Sequence, residues 1–247
     1  MRIDLNRNVI VTGASRGIGK ALVESFVREG DNVWACCRRI DDNLKQWADD
    51  LSKDKQWVKL VEMDLLDEEQ ITNGMKTIIK EHLPINILVN CAGIGHMGLF
   101  QMTSFEEIRR IYEVNLFAVM KICQMVIRPM SKQKNGHIIN ISSTAANEVY
   151  VGNSIYGASK SAVVAFTKSL ASELAPIGIR VNSVAPGLTD TDMSLIFEGA
   201  NPEMPLERSA IGRKLTTEEI AEVVVGLTQD CMSMINGQMI CVNGGSK

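Results

Sequence analysis

The feature that most constrains the fold is a glycine-rich turn between an apolar run and an amphipathic segment near the start of the chain. Residues 8–12 (Asn-Val-Ile-Val-Thr) have the composition of a buried strand, and residues 20–29 carry apolar side chains at helical spacing. The turn between them, residues 12–19, has the spacing G-x-x-x-G-x-G. Glycines at a strand-to-helix turn allow a phosphate to approach the unpaired N–H groups of the helix. This arrangement predicts a dinucleotide-binding turn at the start of an α/β fold.

The rest of the chain repeats the alternation of apolar runs and amphipathic stretches, without a linker between them. Further strands are predicted at residues 32–37, 57–63, 85–90, 137–141, 179–184 and 238–242. Helices are predicted at residues 41–53, 68–82, 105–130 and 156–175, and from a cap at Thr216 or Thr217 to about 228. Strands that alternate with helices predict a single-domain Rossmann fold over residues 1–247: a seven-stranded doubly wound parallel sheet with helices on both faces.

The composition excludes several classes of function. With 26 basic and 29 acidic residues, the chain lacks the basic excess that nucleic-acid binding needs. Its six cysteines form no CxxC pair and its three histidines do not cluster with them, so we expect no metal site. Most of the cysteines lie in apolar runs and are expected to be buried thiols in a reducing compartment. The N-terminus is too polar for a signal peptide and no apolar run reaches the roughly 20 residues of a membrane span, which predicts a cytoplasmic protein.

The end of the second predicted strand indicates which nicotinamide cofactor the turn would bind. Sites that select NAD place a carboxylate there to bond the ribose hydroxyls. This strand instead ends in Arg38 and Arg39, and Arg16 lies within the glycine turn. A guanidinium matches a 2′-phosphate with paired donors, although Arg38 and Arg39 could also simply solvate the strand end. Because two separate positions are basic, we predict NADP(H).

Two side chains with complementary proton chemistry lie on one face of the predicted helix at residues 156–175. Tyr156 and Lys160 are four residues apart. Reduction of a carbonyl needs a hydride on carbon and a proton on oxygen, and the ordinary phenol pKa of about 10 is high for proton transfer near neutrality. We expect the Lys160 ammonium to lower the pKa of Tyr156. Ser143 and its neighbour Ser142 follow a predicted strand, at the edge where parallel-sheet sites gather.

Together these motifs resemble the short-chain dehydrogenase/reductase family in its plain, non-extended form, over residues 9–245. The resemblance implies that Ser143, thirteen residues before Tyr156, holds and polarises the substrate carbonyl, in preference to its neighbour. It implies that Lys160 also bonds the nicotinamide ribose. Asn115 matches a family position that kinks its helix and holds a water in a proton relay. The predicted catalytic residues are therefore Asn115, Ser143, Tyr156 and Lys160.

The resemblance also assigns cofactor contacts to segments spread along the chain. Asp64 matches an aspartate that contacts the adenine ring. Residues 90–93 (Asn-Cys-Ala-Gly) resemble the family's N-N-A-G signature, and residues 186–191 resemble its P-G-x-x-x-T stretch, in which Thr191 bonds the nicotinamide carboxamide or the phosphates. The predicted NADPH-binding residues are Gly13, Ser15, Arg16, Gly17, Ile18, Gly19, Arg38, Arg39, Asp64, Leu65, Asn90, Ala92, Gly93, Tyr156, Lys160, Pro186, Gly187, Thr189 and Thr191.

Within the family the chain is most similar to the 3-oxoacyl-(acyl-carrier-protein) reductase group. Residues 136–139, 178–182 and 236–245 carry this similarity, and reductases of sugars, alcohols and polyketides share them. Ile177 stands where the carrier-protein reductases commonly have a docking arginine, while Lys134 keeps the charge of a second position. The resemblance implies a small carbonyl substrate, as a carrier-protein or CoA thioester. The alternatives are another small ketone, alcohol or sugar, or a non-catalytic NADPH-binding sensor.

Residues 192–215 are predicted to form a lid over the nicotinamide, with an ordinary surface excursion as the alternative. The apolar content of this segment implies a substrate with an apolar arm; its apolar side chains are Met193, Leu195, Ile196, Phe197, Met204 and Leu206. His96 and Met97 are candidates for lining the same pocket. The resemblance further implies a homodimer or homotetramer that assembles through the long helices and the last strand, and the sequence leaves the number of subunits open.

Overall fold

The computed structural model of the chain describes residues 6–52, 55–200 and 209–245. Within these residues, seven strands form one sheet in the order β3-β2-β1-β4-β5-β6-β7, and every neighbouring pair is parallel. The strands are β1 (Asn8–Thr12), β2 (Asn32–Cys37), β3 (Val58–Glu62), β4 (Ile87–Asn90), β5 (Gly136–Ile141), β6 (Ile179–Pro186) and β7 (Met239–Val242). The predicted seven-stranded parallel sheet is confirmed.

Helices connect most successive strands and cover both faces of the sheet. They are α1 (Gly17–Arg28), α2 (Asp42–Leu51), α3 (Glu68–Lys80), α4 (Phe105–Tyr112), α5 (Ala118–Gln133), α6 (Ser154–Leu174), α7 (Ser194–Ala200) and α8 (Thr217–Leu227). Thr216, rather than Thr217, caps α8, because its hydroxyl accepts from the Glu219 backbone N at 3.2 Å and the Glu219 carboxylate accepts from the Thr216 backbone N at 2.8 Å. None of the helices in the described ranges is long and apolar enough to cross a membrane.

The two faces of the sheet belong to two separate apolar layers. Along β1, Val9 and Val11 point into the layer that contains α1, α2 and α8, whereas Ile10 points into the layer that contains α3, α5 and α6. Trp34, on β2, is fully buried in the second layer and packs edge-on against Trp57, with ring centroids 4.9 Å apart. Burial on both faces explains why these strands read as continuous apolar runs.

The strand order reverses beside β1, which lies between β2 and β4. Connections leave β1 and β4 on opposite faces of the sheet, so a crevice opens at their carboxyl ends. Thr12 ties these two ends together: its hydroxyl accepts hydrogen bonds from the backbone N of Cys91 at 3.0 Å and of Ala92 at 3.2 Å. The fold therefore fixes the spacing of the two strand ends at the point where α/β proteins bind nucleotides.

The single helix predicted for residues 105–130 is wrong. A π-helical turn, Glu113–Phe117, separates α4 from α5. Asn115 lies in this turn, only 1% exposed, and its side chain forms hydrogen bonds outside its own helix. Such turns interrupt α-helices mostly at functional sites. The π-helical turn occurs together with the hydrogen bonds of Asn115 to Ile94 and Ser159. These contacts cannot be predicted from the apolar periodicity of the helix.

All six cysteines are free thiols. Cys36, Cys37 and Cys123 are buried, as their apolar neighbours predict, whereas Cys91 is half-buried. Cys231 and Cys241 are exposed, so the expectation of burial is wrong for these two. Both belong to the last part of the chain, where β7 is only partly covered.

We expect Ile138→Ala to destabilise the protein by about 2–5 kcal/mol, because it leaves a cavity in the second apolar layer. Ile138 lies on β5 between two neighbouring strands and is 0% exposed. Urea denaturation followed by circular dichroism measures the change. Val149→Ala is the matched control: Val149 is 87% exposed, so its truncation changes the free energy of unfolding by less than about 0.5 kcal/mol. Equal effects of the two substitutions would contradict this assignment of the core.

Candidate active site

A cleft with a volume of about 1340 Å³ lies at the carboxyl ends of the strands. Most of the residues that the sequence predicts for the cofactor and for catalysis come together on its walls. They are Gly13, Ser15, Arg16, Gly17, Ile18, Gly19, Arg38, Arg39, Asp64, Leu65, Ala92, Gly93, Ser143, Tyr156, Lys160, Pro186, Gly187, Thr189 and Thr191. Two predicted residues, Asn90 and Asn115, do not line the cleft and lie behind its wall.

The glycine turn is a close-packed floor at one side of the cleft. Gly13 has φ +69°, and a Cβ at this position would lie 2.7 Å from the Cα of Ala92. Gly17 has φ +54°, and its Cβ would lie 3.3 Å from the Cγ2 of Thr191. Both glycines thus combine a left-handed backbone with space too small for a side chain. Helix α1 begins at Gly17 with no side-chain cap and no acidic residue in its first turn, so its N–H groups are suited to a diphosphate.

The three arginines predicted to bind the cofactor differ in the contacts they make. Arg38 and Arg39 are exposed at the end of β2, and neither forms an ion pair with another residue in the described part of the chain. Arg16, in contrast, points across the cleft to the predicted lid, where its Nη1 lies 2.8 Å from the Oδ2 of Asp192. Asp64 lines the cleft, and its carboxylate accepts a hydrogen bond from the backbone N of Leu66 at 3.0 Å; its contact with an adenine ring stays a prediction. The groups present fit a dinucleotide that carries an additional phosphate on its adenosine ribose.

The structure distinguishes between the two serines that follow β5. Ser142 is 3% exposed and its hydroxyl donates to the backbone O of Lys160 at 3.0 Å, so it supports the start of α6. Ser143 lines the cleft and is close enough to Tyr156 to lower the pKa of its phenol. Its hydroxyl also accepts from the backbone N of Ala145 at 3.2 Å. Ser143 therefore has the more accessible of the two hydroxyls, and its contact with a substrate carbonyl stays a prediction.

Tyr156 and Lys160 lie side by side on the buried face of α6, 5% and 4% exposed. The Lys160 Nζ donates to the backbone O of Ile141 at 3.0 Å and lies 5.9 Å from the centroid of the Tyr156 ring. A Cβ at Gly93 would lie 3.3 Å from this Nζ, so the glycine allows the ammonium to reach the cleft beside β4. The end of β5 thus holds Lys160 through the backbone O of Ile141. The lack of a side chain at Gly93 leaves room for the ammonium group.

The expectation that Lys160 lowers the pKa of Tyr156 is wrong. Burial raises the pKa of Tyr156 to about 12, and only the hydrogen bond with Ser143 opposes this rise. Burial also lowers the pKa of Lys160 to about 8, against the opposing influence of Cys91. Both shifts have the same physical cause, since removal from water penalises the charged form of either group. At neutral pH the phenol therefore keeps its proton, and the ammonium lies close to its titration point.

Asn115 connects the catalytic helix to the loop after β4. Its Nδ2 donates to the backbone O of Ile94 at 3.0 Å and to the Oγ of Ser159 at 3.1 Å, and its Oδ1 accepts from the backbone N of Ile94 at 2.9 Å. Both backbone groups of Ile94 are thus held by one side chain. Ser159, between the two catalytic candidates of α6, is a positioning residue that sequence reasoning did not identify. The water relay that the resemblance implies for Asn115 stays a prediction.

Asn90 is held in the core behind the cleft. It is 2% exposed, and its Nδ2 donates to the Oδ1 of Asn140 at 2.8 Å. Asn140 in turn donates to the Oγ1 of Thr167 at 2.9 Å, which links β4 and β5 to α6.

Thr12 is absent from the predicted site, although it ties the end of β1 to the end of β4 beneath the cleft. Its position as the last residue of β1 is the one signal in the sequence that points to this role.

The segment after β6 turns its threonine side chains back onto its own backbone. The hydroxyl of Thr189 donates to the backbone O of Gly187 at 3.0 Å, and that of Thr191 donates to the backbone O of Thr189 at 3.4 Å. A Cβ at Gly187 would lie 2.8 Å from the Cβ of Asn243, so this glycine packs against the C-terminal segment. The backbone of residues 187–191 therefore forms one wall of the cleft.

The predicted lid begins and ends at paired backbone. The backbone N of Asp190 donates to the O of Leu215 at 2.9 Å, and the N of Leu215 donates to the O of Leu188 at 2.9 Å. Met204 and Leu206 lie outside the described residues. Outside the lid, Met97 lines the cleft as proposed.

The sequence-based suggestion for His96 is wrong. Its Nε2 lies 3.1 Å from the Oγ1 of Thr103, and its side chain does not line the cleft. No group of three or more His, Cys, Asp or Glu side chains within the described ranges is placed to hold a metal ion.

Comparison with known proteins gives consistent matches over most of the chain. The family model described as short chain dehydrogenase matches residues 7–198. The 3-oxoacyl-(acyl-carrier-protein) reductase FabG of Aquifex aeolicus is 38% identical over 248 residues, covering 99% of each chain. That of Thermotoga maritima is 36% identical over 96% of each chain.

Solved structures agree with these sequence matches. A putative NAD(P)-dependent gluconate 5-dehydrogenase from Beutenbergia cavernae, described with bound NADP, superposes with a TM-score of 0.89 at 32% identity. The match covers 96% of this chain and 95% of that one. A mutant short-chain dehydrogenase/reductase from Serratia marcescens superposes with a TM-score of 0.88 at 31% identity over 97% of each chain.

The depressed pKa of Lys160 predicts how stability depends on pH. Between its folded pKa of about 8 and its ordinary value of 10.5, the unfolded chain binds more protons at this residue than the folded chain does. Stability from this group therefore rises as the pH increases through that window. We expect the wild type to gain about 3 kcal/mol relative to Lys160→Met between pH 7.5 and 10.5. Urea denaturation of both proteins at several pH values measures this difference, and a constant difference would contradict the assignment.

Proposed function

The chain belongs to the short-chain dehydrogenase family of oxidoreductases, and from this premise we propose that it uses NADPH to reduce a carbonyl group to an alcohol. The observation that carries the proposal is the convergence of Ser143, Tyr156 and Lys160 in the same cleft as the glycine turn. NADPH, when bound, supplies the hydride that adds to the carbonyl carbon. The protein must then hold the carbonyl, deliver one proton to its oxygen and shield the reaction from water.

Ser143 and Tyr156 act on the carbonyl oxygen. The Ser143 hydroxyl donates a hydrogen bond that polarises the carbonyl, and the Tyr156 hydroxyl delivers its proton to the oxygen as the carbon receives the hydride. Lys160, with its pKa of about 8, can release a proton near neutrality and restore that of Tyr156. Asn115 acts through others, since it holds Ile94 and Ser159 and does not touch the cleft. Hydride plus proton converts the carbonyl to an alcohol.

The preference for NADPH over NADH rests on Arg38 and Arg39. Both guanidinium groups are exposed at the end of β2, on the cleft, where NAD-selective sites carry a carboxylate. Bidentate charge-assisted hydrogen bonds to a 2′-phosphate are among the stronger contacts available at an exposed site. The bound NADP described for the Beutenbergia cavernae protein is consistent with this preference.

For the substrate we propose a 3-oxoacyl thioester, carried by an acyl carrier protein or by CoA. The relatives from Aquifex aeolicus and Thermotoga maritima carry the name of this reaction, and each matches nearly the whole chain. The substrate side of the cleft, beyond Tyr156, is lined largely by apolar side chains, which suits an acyl arm. Ile177, 38% exposed, offers no charge to a carrier protein at its position. Other small ketones, alcohols and sugars remain the comparison substrates.

We further propose that the enzyme works in the cytoplasm as a homodimer or homotetramer. Phe105, on α4, is 67% exposed, and Phe117, in the π-helical turn, is 50% exposed. Large apolar side chains at the surface often mark contacts between subunits. A second copy of the chain that packs against α4 and the π-helical turn would cover these rings, neither of which lines the cleft.

The role of Tyr156 is tested by Tyr156→Phe, which removes one hydroxyl and keeps the ring. We expect kcat to fall by about 10²–10⁴-fold, the contribution of general acid catalysis, with NADPH affinity unchanged. NADPH oxidation is followed with an acetoacetyl thioester, a simple diketone and a keto-sugar. Tyr112→Phe is the matched control, since Tyr112 does not line the cleft. Wild-type rates in Tyr156→Phe, or a wild type that binds NADPH and turns over none of the panel, would overturn the proposal.

The cofactor preference is tested by the double variant Arg38→Gln, Arg39→Gln. We expect KM for NADPH to rise by about 10–100-fold and KM for NADH to stay within about 2-fold, since only the former carries the 2′-phosphate. Steady-state kinetics with each cofactor measures both values. The double variant Lys76→Gln, Lys132→Gln removes two charges from exposed positions on α3 and α5 that do not line the cleft, and controls for net charge. Equal losses with NADPH and NADH would show that the two arginines do not recognise the phosphate.

A further inference from the structure

The lid helix α7 rests on a glycine in the loop after β4. A Cβ at Gly95 would lie 3.0 Å from the Cγ of Met193, 3.4 Å from the Cε2 of Phe197 and 3.5 Å from the Cδ1 of Ile196. Three lid side chains thus pack directly onto the backbone of Gly95. The φ of this residue is not left-handed, so a larger residue here would be opposed by the close approach of the lid side chains and not by backbone conformation.

The loop under α7 is fixed by hydrogen bonds on both sides of Gly95. Asn115 holds both backbone groups of Ile94, the residue before Gly95. On the other side, the backbone N of Gly98 donates to the backbone O of Gly152 at 2.8 Å, which fastens the loop to the segment before α6. A side chain added at Gly95 would therefore displace α7 and leave the loop in place.

The same packing brings a lid side chain onto the proton donor. The ring of Phe197 lies against the ring of Tyr156, with centroids 5.5 Å apart and planes at 57°. Phe197, Met193 and Ile196 all line the cleft, together with Ile94 and Met97 from the loop. Beside the reacting groups, the space for the substrate arm is thus bounded by uncharged, apolar side chains from two elements.

We propose that Gly95 sets the depth at which α7 packs over Tyr156, and that Phe197, placed by this packing, limits the length of the apolar arm that the substrate can carry. The inference rests on the proposed carbonyl reduction and names the residues that determine its chain-length preference. An arm that extends past the carbonyl meets the Phe197 ring. A side chain smaller than phenylalanine at position 197 opens the cleft. A side chain larger than glycine at position 95 moves the Phe197 ring away from Tyr156.

The test of Phe197 compares substrates of increasing length. For Phe197→Ala we expect the ratio of kcat/KM for 3-oxooctanoyl to that for acetoacetyl N-acetylcysteamine thioester to rise by about 10-fold, the discrimination of a methylene in an apolar pocket. Phe197→Leu should give an intermediate ratio. Leu195→Ala is the matched control on the same helix, because Leu195 is 62% exposed and does not line the cleft. An equal fall for both substrates in Phe197→Ala would overturn the proposal.

The test of Gly95 uses its closest neighbour. We expect Gly95→Val to lower kcat/KM for the acetoacetyl thioester by about 10-fold with the Kd for NADPH unchanged. Met193→Ala, which removes the side chain closest to the added Cβ, should restore at least part of this loss. Loss of NADPH binding, or no restoration in the double variant, would contradict the proposed role of Gly95.

Two further measurements separate this inference from the proposed function. If the wild type reduces ketones but not thioesters, the ratio of kcat/KM for a long to that for a short substrate is measured with 2,3-diketones of increasing length. Deuterium uptake of residues 193–197 reports on the lid without any turnover: Gly95→Val should increase it several-fold, and Leu195→Ala should not. Unchanged uptake in Gly95→Val would overturn the inference even in an inactive protein, whereas inactivity alone counts only against the proposed reaction.

Discussion

The side-chain amide of Asn115 is the contact on which the arrangement of the site depends. A buried amide must find hydrogen-bond partners, because an unpaired polar group costs about 1–3 kcal/mol in the interior. Asn115 finds them across the cleft wall, in both backbone groups of Ile94 and in the hydroxyl of Ser159. At this point a π-helical turn interrupts the regular α-helical geometry between α4 and α5. One residue thereby fixes the loop after β4 relative to the helix that carries Tyr156 and Lys160.

Desolvation, rather than attraction between the two side chains, decides the protonation of the catalytic pair. If charge attraction dominated, Tyr156 would lose its proton more easily and Lys160 less easily, yet burial moves both pKa values the other way. The uncharged phenol that results is the form needed to donate a proton, and the oxygen that receives it during reduction becomes more basic as the hydride arrives. Burial therefore keeps the proton on Tyr156, which is the state that the proposed reduction needs, although the higher pKa also makes the phenol a weaker acid.

The sequence predicted those parts of the protein that depend on local pattern. Apolar periodicity predicts the alternation of strands and helices. Motif spacing predicts the glycine turn at Gly13 and Gly17 and the pairing of Tyr156 with Lys160. The features it did not predict depend on distant contacts. The π-helical turn at Asn115 is accompanied by bonds to a loop twenty-one residues away. The direction of the Tyr156 pKa depends on how deeply α6 is covered, which no four-residue motif encodes.

Two kinds of contact hold the proposed lid over the cleft. The ion pair of Arg16 with Asp192 joins the lid to the glycine turn, but its side chains are 75% and 69% exposed, so water and salt weaken it. Apolar packing at Gly95 is made by partly buried side chains and is sensitive to a single methyl group, because the nearest lid atom would lie 3.0 Å from an added Cβ. The cofactor side is thus fixed by backbone and buried hydrogen bonds, while the substrate side depends on side-chain volume. In the proposed reaction, changes at Met193 or Ile196 would alter the substrate side of the cleft, whereas a change at Phe197 would also remove a contact with the ring of Tyr156.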